Sequence, residues 1–100
     1  MKKVRLSNQE IQIIKEQTKK IFGKNAKVYI FGSRADLSKK GGDIDIFIET
    51  SYKASLKDEL QFLVALEKKG IERKVDLIVK TPYKKEKKIF QTAKETGVML

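Results

Sequence analysis

Hydrophobic residues recur along the chain at two spacings, which predict three helices and three strands. Apolar positions three and four residues apart predict helices over residues 8–22, 56–69 and 83–96. Short runs rich in β-branched and aromatic residues predict strands over residues 27–31, 43–49 and 75–79. The order α-β-β-α-β-α is typical of a compact α/β or α+β domain, in which helices cover one small sheet.

The first two predicted helices have start and stop signals. Ser7 and Ser55 each stand three residues before an acidic residue, which is the pattern of a capping box. Gly23 and Gly70 follow the last turns, where glycine commonly ends a helix. Five positions at helical spacing form the spine of the second helix: Leu56, Leu60, Leu63, Val64 and Glu67. These signals fix the place of each helix along the chain.

The last predicted helix follows a break at Thr81-Pro82, since proline disfavours helix in the residue before it. It starts at about Tyr83 and turns a partly apolar face inward, formed by Glu86, Ile89, Phe90 and Ala93. Gly97 ends it and leaves the apolar tail 98–100.

Length and composition exclude several classes of protein. One hundred residues suffice for one core, so we expect a single domain over residues 1–100. No apolar run approaches the roughly 20 residues that span a bilayer, and no signal-peptide stretch follows the N-terminus, so we expect a cytoplasmic protein without membrane contact. Cysteine and histidine are absent, which excludes thiol nucleophiles, histidine bases and zinc sites built on either residue. Any catalysis must use carboxylates, hydroxyls, Lys, Arg or bound metal.

The net charge of +10 favours anionic partners such as nucleotides, nucleic acid or an acidic protein face. Six lysines crowd the C-terminal segment: Lys80, Lys84, Lys85, Lys87, Lys88 and Lys94. Such a run is more often a solvated face than a binding site. Most of the aromatic residues that could stack on bases lie in apolar patterns that indicate core. Nucleic acid is therefore a less favoured partner than a nucleotide.

Two carboxylates stand one residue apart inside an apolar run. Side chains alternate between the faces of a strand, so Asp43 and Asp45 share one face while Ile44, Ile46 and Ile48 line the other. Adjacent carboxylates repel each other and lose hydration energy unless a cation compensates them. Mg²⁺ suits the pair, because it favours one or two carboxylates together with substrate phosphates. The alternative interpretation is an exposed strand end with acidic residues.

A glycine-serine turn precedes this pair. Gly32 and Ser33 offer backbone N–H groups and a hydroxyl to phosphates, and Arg34 is a candidate for clamping a triphosphate. The alternatives are a plain turn for Gly32, a helix N-cap for Ser33 and a structural role for Arg34. Together with the aspartates, the turn indicates metal-assisted phosphoryl or nucleotidyl transfer.

Asp76 is the third candidate carboxylate, because it interrupts a strand whose other residues have a pattern typical of a buried strand. An unpaired carboxylate there is expensive. The structural alternatives are a salt bridge to Arg34, Arg73 or Lys74, or a position at the end of the strand where the side chain reaches water. Three converging carboxylates can hold two divalent ions that steady the attacking and leaving oxygens of an in-line displacement. The third carboxylate can also accept the proton of the acceptor.

These motifs carry a resemblance to a known family. Residues 28–49, from Val28-Tyr29-Ile30-Phe31-Gly32-Ser33-Arg34-Ala35 to Gly42-Asp43-Ile44-Asp45-Ile46, resemble the signature of the DNA polymerase β-type nucleotidyltransferase superfamily. The short chain and the Gly-Ser-Arg-Ala opening are similar to the minimal nucleotidyltransferases, the MntA-like antitoxin group. The chain departs from that group at Gly42, where serine is common, and at Asp36, where a basic residue is frequent. Neither departure removes a metal ligand.

The resemblance covers nearly the whole chain and implies a mixed sheet, two Mg²⁺ ions and ATP as the nucleotide donor. It implies that Gly32 and Ser33 hold phosphates. It also implies that Asp43 and Asp45 bind metal and that Asp76 is the third carboxylate. The implied partner is a helical HEPN-type toxin, neutralised by binding or by adenylylation of a side-chain hydroxyl. The apolar tail 98–100 can contact that partner or pack on its own core.

Three further hypotheses stay open. The acceptor can be a small molecule or an RNA end instead of a protein. The chain can be a non-catalytic antitoxin that acts by binding alone. It can also be a basic nucleic-acid-binding domain, a hypothesis that depends on the net charge alone.

Overall fold

The helices and strands follow the predicted order, and one short strand is added at the end. We analysed a computed structural model, which describes residues 6–32 and 43–100. In these ranges the helices are α1 (Asn8–Phe22), α2 (Leu56–Lys68) and α3 (Lys88–Thr96). The strands are β1 (Lys27–Phe31), β2 (Ile44–Glu49), β3 (Val75–Lys80) and β4 (Val98–Met99). No helix in the described ranges has both the length and the apolar content needed to cross a membrane.

The strands form one mixed sheet in the order β3-β2-β1-β4. β1 pairs antiparallel with β2 and with β4, whereas β2 and β3 are parallel. A parallel pair needs a crossover connection, which α2 supplies. The α+β fold with a small mixed sheet is therefore confirmed.

The two faces of the sheet are covered unequally. α1 and α2 pack on the face that carries Ile44, Ile46 and Ile48, all of which are fully buried. Phe22 and Phe62 meet above this face with ring centroids 5.6 Å apart, a favourable aromatic separation. The opposite face carries Asp45 and is covered by the nine-residue helix α3. This face therefore has room for a site beside α3.

Both predicted capping boxes are present. The backbone N–H of Glu10 donates to Ser7 Oγ at 3.0 Å, and the N–H of Ser7 donates to Glu10 Oε1 at 3.0 Å. Ser55 and Asp58 make the same reciprocal pair at the start of α2. Each box satisfies two backbone donors that no helical carbonyl can reach, so the helix starts are fixed locally.

The prediction for the last helix is wrong by one turn or more, since α3 begins at Lys88 and not near Tyr83. Lysines three and four residues apart would repel each other on a helix, and cations disfavour the positive end of the helix dipole. The chain instead forms a turn, in which the Lys84 N–H donates to the Thr81 carbonyl at 3.2 Å. Lys84 Nζ also donates to the Val79 carbonyl at 2.7 Å.

The predicted inward face of the last helix is correct only in part. Phe90 and Ala93 are buried, but Ile89 is 43 % exposed. Glu86 precedes the helix, is exposed and forms an ion pair with Lys80 at 3.6 Å. The helix is anchored mainly by Phe90, which stacks on Phe47 with ring centroids 5.7 Å apart.

The spine predicted for α2 is not its buried face. Leu56, Leu60 and Val64 are 70 %, 53 % and 49 % exposed, whereas Phe62 and Leu66 are buried. Apolar residues occupy most of the circumference of α2, but the sheet and α1 cover only one side. The side that carries the phenylalanine is buried, because an aromatic ring contributes the larger apolar area.

The apolar tail packs on its own domain. Val98 and Met99 form β4 beside β1, and the Leu100 N–H donates to the Val28 carbonyl at 2.9 Å. Leu100 lies against the core, and Met99 is 57 % exposed. The second strand is one residue shorter than predicted, since β2 begins at Ile44 and Asp43 lies in the bend before it.

Candidate active site

Asp45 and Asp76 lie opposite each other on neighbouring strands. They are register partners in the parallel pairing of β2 and β3, on the face of the sheet that carries α3. The pairing follows from the crossover through α2, which sets Ile44 beside Val75 and therefore the two aspartates side by side. The side chains are close enough to hydrogen-bond to each other. The structure thus brings together two of the three predicted carboxylates.

Asp43 lies at the entrance to β2, two residues before Asp45. Its side chain is exposed, and its negative charge acts on Asp45. Asp76 is exposed and Asp45 is half-buried. The three carboxylates therefore occupy one corner of the sheet that solvent and a substrate can reach.

Burial is the main cause that raises the pKa of Asp45 above its usual range. The negative charge of Asp76, a hydrogen bond to the Asp76 carboxylate and the charge of Asp43 raise it further. Desolvation and like charges both disfavour the ionised carboxyl. Within the described residues, the charged groups that shift the pKa of Asp45 are therefore carboxylates, and a bound cation would relieve this repulsion.

The acidic residue at the other end of β2 has a contrasting environment. Glu49 accepts a hydrogen bond from Lys94 Nζ at 3.2 Å and lies 3.9 Å from Lys80 Nζ. The hydrogen bond raises the pKa of Lys94 above its usual range. Glu49 is thus neutralised by side chains of its own domain, as expected for a structural carboxylate.

Gly32 directly follows β1 and lies beside Asp45. Its φ is +68°, a left-handed conformation that favours glycine. A Cβ at this position would collide with the Asp45 carboxylate and would lie 3.1 Å from its Cγ. The glycine therefore does more than turn the chain, because its missing side chain makes room for Asp45. The sequence motif singled out both residues but did not indicate that they touch.

Two of the predicted phosphate-binding residues, Ser33 and Arg34, lie outside the described residues. Their roles remain predictions. Gly32, the third predicted phosphate-binding residue, adjoins them and lies at the same corner of the sheet as Asp45.

The donor atoms suit a hard cation. Carboxylate oxygens are the side-chain ligands that Mg²⁺ prefers, and one or two suffice when substrate phosphates complete the coordination shell. The described residues contain no cluster of three or more acidic side chains grouped closely enough to hold a metal by themselves. The arrangement fits a cation that is shared between the facing pair, Asp45 and Asp76, and a phosphate substrate.

Carboxylates on two adjacent parallel strands, next to a glycine turn, are an arrangement that suits metal-assisted phosphoryl transfer. The family model described as "Polymerase beta, Nucleotidyltransferase" matches residues 9–100, so the chain belongs to this nucleotidyltransferase family. A comparison with curated proteins found no match. The superfamily that the sequence motifs resemble is thereby confirmed.

Proposed function

We propose that the protein is a Mg²⁺-dependent nucleotidyltransferase that moves AMP from ATP to a side-chain hydroxyl of a partner protein. The observation that carries the proposal is the in-register opposition of Asp45 and Asp76, with Asp43 beside them. Family membership supports the class of reaction. In this proposal residues 1–100 act as one minimal domain, located in the cytoplasm where ATP is available.

In the proposed reaction the acceptor hydroxyl oxygen attacks the α-phosphorus of ATP. A new P–O bond forms, the bond to the β-phosphate oxygen breaks, and pyrophosphate leaves. Asp76, the more exposed of the facing pair, accepts the proton of the hydroxyl. Gly32, Ser33 and Arg34 position the triphosphate, because backbone N–H groups and a guanidinium bind phosphate oxygens.

Asp45 and Asp76, the facing pair, would hold Mg²⁺ with the help of the substrate phosphates, and Asp43 would add the third carboxylate for the two ions that the family resemblance implies. When bound, Mg²⁺ supplies neutralisation of the phosphate and carboxylate charges. Burial is the first cause of the raised pKa of Asp45, and the negative charges of Asp76 and Asp43 add to it. That added repulsion supports the assignment, because a divalent cation would offset it.

A protein acceptor suits the exposed position of the site. Asp43 and Asp76 lie at an open corner, where a hydroxyl on the surface of a folded protein can approach. We propose that the acceptor is a helical HEPN-type toxin and that the protein acts as its antitoxin, as in the MntA-like group. A nucleic-acid acceptor is less favoured.

Label transfer tests the proposal. Purified protein is incubated with Mg²⁺ and α-³²P-ATP, with and without the protein encoded beside it. We expect label on the partner with the wild-type protein and none with the Asp43→Asn/Asp45→Asn double variant. Glu49→Gln is the matched control, since it removes a carboxylate from the same strand and face but at the far end. That variant should retain transfer.

Other outcomes assign other functions. Label on RNA or on a small molecule would replace the protein acceptor but keep the enzyme. No label anywhere, with stable co-purification of the two proteins, would indicate an antitoxin that acts by binding alone. Transfer that survives the double aspartate substitution would refute the assigned roles of the carboxylates.

A further inference from the structure

α2 presents an apolar stripe to solvent. Leu56, Leu60 and Val64 are 70 %, 53 % and 49 % exposed, and each follows the last by four residues. Residues at this spacing lie above one another on one side of a helix. Contiguous exposed apolar side chains mark interaction surfaces more often than scattered ones do. The stripe lies away from Phe62 and Leu66, which already anchor α2 to the core.

Two exposed charges beside the stripe lie at unfavourable ends of their own helix. Lys57 is in the first turn of α2, next to the positive end of the helix dipole, and Glu67 is in the last turn, next to the negative end. Neither charge therefore stabilises an isolated α2 through the helix dipole. An antiparallel neighbour of the same sequence would reverse both effects, because each charge would then lie near the opposite end of the other helix.

A hollow lies at the C-terminal end of the stripe. It has a volume of about 490 Å³, and its lining includes Leu63, Glu67, Ile71 and Arg73. Its apolar wall adjoins the stripe through Leu63. The surface therefore has protruding leucines at one end and a recess at the other, an arrangement that can complement itself in an antiparallel pair.

We infer that this surface is a self-association interface, on which α2 of a second copy packs antiparallel. A register that sets Leu60 opposite Val64 of the second copy also sets Lys57 opposite Glu67 of that copy. The two-fold symmetry repeats each of these contacts. Leu56 of the second copy then lies at the level of the hollow. The charge pattern along the helix is thus complementary to itself.

The charge balance favours this surface for contact between two identical chains. The whole chain carries +10, which opposes association over most of its surface. α2 contains two lysines and three acidic residues, which gives a net charge of −1. The aspartate corner lies on the opposite face of the sheet from α2, so the pairing leaves the candidate active site open. The inference is independent of the proposed function.

Sedimentation equilibrium of the full chain over a range of concentrations tests the inference. We expect a monomer–dimer equilibrium that Leu60→Glu weakens by at least about tenfold, since it buries a charge in the apolar stripe. Lys57→Glu and Glu67→Lys should each weaken the dimer. The combined Lys57→Glu/Glu67→Lys variant should restore it, because the ion pair is then reversed.

Lys19→Glu is the matched control for Lys57→Glu, because it makes the same charge change at an exposed position of α1. It should leave the dimer intact. Circular dichroism of each variant establishes that the domain is folded, which the exposure of the substituted residues favours. A wild-type protein that stays monomeric to about 1 mM would overturn the inference. So would a dimer that Leu60→Glu leaves unchanged, or a charge swap that fails to restore association.

Discussion

Gly32→Ala should impair both stability and the geometry of the site. The alanine must adopt φ near +68°, and its Cβ must share space with the carboxylate of Asp45. The backbone strain costs about 1–2 kcal/mol, since left-handed conformations are unfavourable for residues with a Cβ. In a domain of this size that lowers Tm by roughly 4–16 °C.

The collision adds a second effect, because the Asp45 carboxylate must move to relieve it and its position relative to Asp76 then changes. Displacing a catalytic group in this way lowers transfer on the order of 100-fold. Substituting Asp45→Ala removes Cγ and the carboxylate and leaves Cβ 3.5 Å from the alanine at position 32, an ordinary contact. The destabilisation caused by Gly32→Ala should therefore be smaller in the Asp45→Ala background.

Thermal unfolding of the four proteins in this cycle measures the coupling between the two positions, which contacting residues commonly show at about 0.5–3 kcal/mol. Gly70→Ala is the control for backbone strain alone, since Gly70 has φ +114° and a Cβ there would meet nothing within 4 Å. It should lower Tm but leave label transfer intact. Equal costs of Gly32→Ala in both backgrounds, together with normal transfer, would refute the reasoning.

Two further substitutions test the electrostatics and the capping. The pKa of the Asp45 carboxyl is higher in the folded protein than in the unfolded chain, so folding favours its protonated form. Its contribution to stability is fully present below its unfolded-state pKa and is lost as pH rises through its folded-state pKa. Asp45→Asn should therefore raise Tm at neutral pH without divalent cations, with a gain that shrinks toward about pH 4; a constant gain across this range would contradict the assigned cause. Ser7→Ala removes the acceptor of the Glu10 N–H and should cost about 1 kcal/mol, or roughly 4–8 °C in Tm. Ser51→Ala, at an exposed bend, should not change Tm.

Local signals explain why much of the fold could be predicted from the sequence. A capping box involves residues three apart, so Ser7 and Ser55 mark helix starts whatever the rest of the chain does. The alternation around Ile44 and Ile46 likewise determines which face of β2 packs on α1 and α2. The start of α3 was missed, because repulsion among the lysines before Lys88 outweighed the apolar spacing.

The orientation of α2 and the contacts at the site depend on non-local packing. Apolar residues occupy most of the circumference of α2, and the position of α1 and the sheet decides that Phe62 is buried and Leu60 is not. The opposition of Asp45 and Asp76 depends on the register of a parallel pair separated by a whole helix. The motif therefore identified the carboxylates as candidates but could not indicate that Gly32 makes room for one of them.

Because β3 lies at the edge of the sheet, the candidate site can open while the rest of the fold stays intact. Among residues 6–32 and 43–100, β3 has hydrogen-bonded pairing on one side only, whereas β2 lies between β3 and β1. Edge strands open more readily than central ones in native-state hydrogen exchange. An opening of β3 withdraws Asp76 while the β1–β2 hairpin keeps Gly32 and Asp45 together. On heating, we therefore expect the corner of carboxylates to come apart before the core melts.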